Sequence, residues 1–197
     1  AGLLNNYVGE RAGARILAGQ IRRGHTETMH AAIWLSDLRG FTPLSDRLSS
    51  EAVVDVLNTY FDCQGPAILN HGGEVLKFMG DGLLAVFPIS DKEGDTETVC
   101  RRVLEAAREC RANVAAMTHK YDNETLGNFR FGLALHVGKV LYGNIGGGDR
   151  LDFTCIGPAV NLAARIEKIA GRLNRTVLAS TEFASHVDAG WTDLGLF

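Results

Sequence analysis

Two aspartates in this chain stand where a carboxylate can do chemistry. Asp37 lies near the end of an apolar run, Ala31 to Leu38, that reads as a buried strand, and Arg39, Gly40, Phe41 and Thr42 lead from it into a helix. Backbone N–H groups at such a junction point outward and form a cradle for phosphate. Asp81 sits in a Gly80-Asp81-Gly82 turn between two short apolar runs, Glu74 to Met79 and Leu83 to Phe87, which is a hairpin signal. Taken singly, Asp37 is equally a helix cap and Asp81 an ordinary turn residue. Taken together, two carboxylates at adjacent strand ends can hold two divalent cations, an arrangement that serves phosphoryl chemistry. The donor set is all oxygen and fits magnesium.

A third group lies on a helix that Gly157-Pro158 opens, proline being suited to a first helical turn. Asn161 and Arg165 are four residues apart on it and share one face. With Lys168 and Arg172 they are also what an ordinary solvated stripe looks like.

The elements that position these groups follow from apolar spacing. A helix is expected from about Asn5 to Arg23, ended by Gly24. After the first strand, Val53, Val54, Leu57, Tyr60 and Phe61 define the inner face of a second helix, stopped by Gly72-Gly73. A long amphipathic helix spans roughly Thr96 to Lys120, with Val99, Val103, Ala106, Ala107, Cys110 and Val114 inward. Phe129 to Val137 and Lys139 to Ile145 read as a pair of strands, and Leu151 to Ile156 as another. The Pro158 helix runs to about Ala170; Thr176 to Ala179 and Trp191 to Phe197 are short strands. The order gives an α+β sandwich, helices packed on a mostly antiparallel sheet.

Composition narrows the function. The 197 residues are 46% hydrophobic and 22% charged, with a net charge of -3, which fits a globular domain with a sizeable core. No basic patch points to nucleic acid, so a polyanionic substrate must be held by a few placed groups. No apolar run is long enough to cross a bilayer, and there is no signal-peptide pattern. Cys63, Cys100, Cys110 and Cys155 form no CxxC pair and read as reduced thiols of a cytoplasmic protein.

Three blocks, WLSDLRGFT at 34–42, KFMGDG at 77–82 and TCIGPAVNLAAR at 154–165, resemble the signature blocks of class III adenylyl and guanylyl cyclases, in the family's order. The resemblance runs from about His30 to the end of the chain. It implies a ferredoxin-like core, two divalent cations (Mg2+ or Mn2+), ATP as substrate, and a homodimer with composite active sites. By position, Asp37 and Asp81 would hold the metals, Lys77 and Thr154 would read the base, and Asn161 and Arg165 would serve the transition state. Lys77 only donates, which suits adenine N1 and opposes the N1–H of guanine; the Thr154 hydroxyl can accept from the adenine amino group. The lysine–threonine pair resembles one subgroup of adenylyl cyclases. A guanylyl cyclase and a catalytically silent nucleotide-binding domain are the alternatives.

The chain also departs from the family's pattern. Pro158 replaces a small polar or acidic residue, and Gly132 stands where a basic residue often touches the polyphosphate, with Arg130 or Lys139 as candidates to replace it. Gly72-Gly73-Glu74 is reminiscent of the diguanylate cyclase signature but lacks the acids that should follow. Residues 1–25 are expected to be a helical connector from an upstream regulatory domain. Residues 26–197 are expected to be the catalytic domain, cut short at its C-terminus, with no direct membrane contact of its own.

Overall fold

β1 (Thr26–Arg39) is the axis of the sheet because its side chains are apolar on both faces: Ala31, Ala32, Ile33 and Trp34 are all fully buried. The computed structural model, which describes residues 10–19, 26–120, 130–147 and 150–197, pairs β1 with β3 (Gly82–Ile89) on one side and β4 (Arg130–Gly147) on the other, both antiparallel. β2 (Glu74–Met79) and β5 (Arg150–Ile156) extend the order to β2-β3-β1-β4-β5, and β6 (Val177–Ala179) joins β4 in parallel.

Alternation along β1 then separates two cores. Trp34 and its neighbours on one face, with Phe87 and Leu135, pack against α3 (Ser50–Asn70) and α4 (Asp95–Lys120). Ile33 and Leu35 on the other face, with Leu84 and Ala134, lie under α5 (Pro158–Arg172). Short helices α1 (Glu10–Leu17), α2 (Phe41–Ser45) and α6 (Thr181–Ser185) complete the described elements. No helix among the described residues is long and apolar enough to cross a membrane. The α+β sandwich is the expected one.

Several boundaries differ from expectation for identifiable reasons. The two strands expected on either side of Gly138 are one continuous strand, β4. Gly138 pairs with Ala31 and is needed for close approach: a Cβ there would stand 2.7 Å from the Ala159 Cβ of α5. The inner face of α3 is rotated from the expected one, with Val56, Tyr60, Cys63 and Ala67 buried and Val54 exposed. The Trp191 to Phe197 segment is not a strand; Trp191 instead meets Phe183 edge to face and donates its Nε1–H to the Val187 carbonyl at 2.7 Å. The first expected helix, Asn5 to Arg23, is helical over Glu10–Leu17 and already turns at Ala18 and Gly19, where Gly19 takes a φ of 78°; the rest of the expected range lies outside the described residues. Gly72 does end α3, with a φ of 85°. Glu74 accepts a hydrogen bond from the Tyr142 hydroxyl at 3.0 Å, so the Gly-Gly-Glu segment is accounted for structurally.

Replacing Gly138 by alanine should therefore force α5 off the sheet. We expect a loss of about 1–3 kcal/mol, the usual range for overpacking, read from urea denaturation of the purified domain.

Candidate active site

The register of β1 against β3 sets Asp37 opposite Gly82, so Asp81 of the β2–β3 turn comes to lie beside Asp37. Only glycine fits at position 82: a Cβ would stand 2.9 Å from the Ser36 carbonyl oxygen and 3.4 Å from Asp37 Oδ1. Gly80, with a φ of 64°, supplies the left-handed residue of the turn. Asp37 and Asp81 are both half-buried and hydrogen-bonded to each other. Burial first, then the Asp81 charge and the Glu167 charge, push the Asp37 carboxyl up to about 7.

The strand beneath is held rigidly. Gln64 of α3, fully buried, accepts from Ser36 Oγ at 2.6 Å and from Trp34 Nε1 at 3.1 Å. These bonds pin the opposite face of β1 directly behind Asp37.

Glu167 and Arg39 were not singled out in the sequence, yet they form the wall of this site. An ideal Cβ on Gly132, which pairs with Asp37 across β1–β4, would stand 2.5 Å from Arg39 Nη2 and 2.9 Å from Glu167 Oε1. The guanidinium of Arg39 therefore fills the space above Gly132 and also donates to the Arg175 carbonyl. Burial raises the Glu167 carboxyl, and Arg39 is the strongest influence opposing that rise. Of the two residues considered as replacements at this position, Arg130 donates to Asn174 Oδ1 at 2.6 Å, while Lys139 is exposed on the other face of the sheet. The helical wheel held a signal for Glu167: it lies four residues after Ala163 and three before Ala170, both fully buried, which marks an acid on an inward face.

A bulge in β2 decides where Lys77 points. Val75 pairs with Ala85 and Lys77 with Leu84, leaving Leu76 as the extra residue. Without it, Lys77 would face Leu83 and the α3 side; with it, Lys77 shares the α5 face. There its charge acts on Cys155 of β5, partly offsetting the burial that pushes this thiol up to about 11. Thr154, the preceding residue, is buried at 8% exposure on the opposite side of β5. Asn161 and Arg165 project from α5 and are exposed, as are Lys168 and Arg172. The charges that raise Asp37 come from Asp81 and then Glu167. Gly40, with a φ of 73°, precedes α2; Phe41 packs on the first core and Thr42 is exposed. All four cysteines are free and buried. Among the described residues no set of three His, Cys, Asp or Glu side chains converges on a cation position.

The raised Asp37 has a consequence for folding. The native chain keeps a proton on it between pH 3.8 and about 7, where the unfolded chain does not. Without divalent cations, stability must therefore fall as pH rises through that window. Asp37→Asn should flatten this fall and raise the melting temperature above pH 7, measured by calorimetry in chelator.

Comparison with known proteins fits this geometry. The model of the adenylate and guanylate cyclase catalytic domain matches residues 25–186. A terminal-differentiation-specific adenylate cyclase of Dictyostelium discoideum is 32% identical over 151 residues, 74% of this chain and 7% of that protein. The chain spans between 7% and 31% of the length of the first curated relatives it matches. A solved bacterial light-regulated adenylyl cyclase superposes with a TM-score of 0.79 at 28% identity, over 98% of this chain and 56% of that one. The guanylyl cyclase Cya2 does so with a TM-score of 0.69 at 28% identity, over 88% and 85%. With its signature blocks set on that fold and the family model matched over most of its length, the chain belongs to the class III nucleotidyl cyclase catalytic domains.

Proposed function

We propose that this domain is an adenylyl cyclase that closes ATP to 3′,5′-cyclic AMP and pyrophosphate at sites shared between two copies of the chain. The observation that carries the chemistry is the Asp37–Asp81 pair, two half-buried acids so close that one keeps a proton to about pH 7. Two neighbouring carboxylates offer an all-oxygen donor set suited to divalent cations, and Asp37 and Asp81 would hold two of them, Mg2+ or Mn2+. Bound there, such ions acidify the 3′-hydroxyl and neutralise polyphosphate charge. In the reaction the bond from the 3′-oxygen to the α-phosphorus forms and that to the pyrophosphate oxygen breaks. The hydroxyl proton leaves to water or a substrate oxygen.

The remaining roles belong to residues away from that pair. Asn161 holds the ribose so that its 3′-oxygen lies in line with the α-phosphorus. Arg165 sets its guanidinium against the charge that builds on the transferring phosphate. Both are exposed on α5, which supports sites completed by a second chain. Lys77 donates to adenine N1 and carries most of the base choice; Thr154, set on the other face of β5 from Cys155, is the second base contact that the family resemblance implies. The Cya2 comparison shows that a guanylyl cyclase shares this fold, so base choice rests on Lys77 and Thr154.

The direct test is product formation from ATP and from GTP with Mg2+ or Mn2+ at several protein concentrations. Cyclic AMP as the main product is expected, with specific activity rising as the chain dimerises. Cyclic GMP as the main product would overturn the base assignment and leave the carboxylate pair standing. Asp37→Ala and Asp81→Ala should each lower turnover at least ~100-fold, the scale of a lost transition-state electrostatic group.

Mixing supplies a second test. Asp37→Ala and Asn161→Ala chains, each inactive alone, should regain activity together, because one of the two interface sites is then intact. Verified heterodimers without activity would rule out shared sites.

A further inference from the structure

α5 rests on the sheet through small side chains. Of its four buried residues three are alanine, Ala159, Ala163 and Ala170, with Ile166 the single large one. β4 meets it with glycines on the same face, Gly138 under Ala159 and Gly132 under Glu167. Val160 and Leu162 add partly buried contacts at the first turns, but toward the Arg172 end few large side chains interlock to fix rotation or sliding of the helix. Polar ties at one end supply what the alanines do not. Arg39 faces Glu167 above Gly132 and donates to the Arg175 carbonyl just beyond the helix. Arg130 donates to Asn174 Oδ1 at 2.6 Å. Both arginines stand on the ends of β1 and β4 beside Asp37, where Arg39 pairs with Arg130 across the ladder.

From this we infer that Glu167, through Arg39, is a positioning residue: it fixes the setting of α5, and thereby of Asn161 and Arg165, relative to the strand that carries Asp37. In that role Glu167 acts through Arg39 and α5 and not on the reacting atoms. Arg39 and Glu167 reach the space over Gly132 from β1 and from α5, each charge acting on the other, and Gly132 is glycine because that space is taken. The inference rests on the shared-site reading given above, in which α5 of one chain serves the carboxylates of the other.

The test uses the mixed dimer of Asp37→Ala and Asn161→Ala chains, whose single working site draws its carboxylates from the second chain and its α5 from the first. Glu167→Gln is added to one chain at a time. Placed in the Asp37→Ala chain, it should lower kcat about 10-fold, with KM for ATP within about twofold, as expected for a small misplacement of transition-state groups. Gly132→Ala in that same chain disturbs the pair from the sheet side and should do the same, while Glu167→Asp should restore most of the rate. A loss that appears only when Glu167→Gln is in the chain supplying Asp37 and Asp81, or in neither, overturns the inference. Hydrogen exchange provides a readout that needs no activity: amides of 158–172 should exchange faster in both variants. Unchanged protection would also overturn it. If the unmodified mixture regains no activity, the shared-site reading fails, and the exchange result alone still decides whether Glu167 fixes α5.

Discussion

Two like charges held close together in a half-buried setting are unfavourable, and much of this domain is arranged around that fact. The β1–β3 register brings Asp37 and Asp81 together, and Gly82 removes the side chain that would keep them apart. The Trp34–Gln64–Ser36 bonds then stop β1 from relaxing away. Burial first and then the Asp81 charge push Asp37 up to about 7, and that cost is a compromise between stability and the placing of two acids side by side.

Arg39 is the cation that makes this compromise tolerable, and it serves more than one partner. It lies against Glu167, donates to the Arg175 carbonyl and feels the Asp37 charge. Burial lowers its own pKa, the opposing Glu167 charge being the next influence. An arginine retains its charge under these conditions where a lysine would readily lose it. The wall of the site and the seat of α5 are therefore built from one guanidinium.

What was legible in the sequence followed from period and punctuation. α4 was read to within a residue because its apolar positions recur at helical spacing, and every residue assigned inward there is buried. The β2–β3 hairpin was legible from Gly80-Asp81-Gly82. Gly138 misled because a glycine between two apolar runs looks the same whether the chain turns or another element comes close; only the position of Ala159 distinguishes them. The β2 bulge that turns Lys77 leaves no mark in the sequence, since it depends on the pairing partner. The carboxylates and the α5 pair were legible as motifs. That Arg39 and Glu167 meet over Gly132 was not, because their association spans elements far apart in the chain.

The indole of Trp34 bonded to Gln64 carries a spectroscopic consequence. The chain has two tryptophans, Trp34 fully buried and Trp191 half-buried near the C-terminus. Their surroundings differ enough that intrinsic fluorescence divides into a component from the dry interior and one from a wetter surface. The interior component arises three residues from Asp37, on the strand whose end forms the carboxylate pair. The protein therefore carries its own optical label on β1, and changes in emission can follow that strand in solution without any added dye.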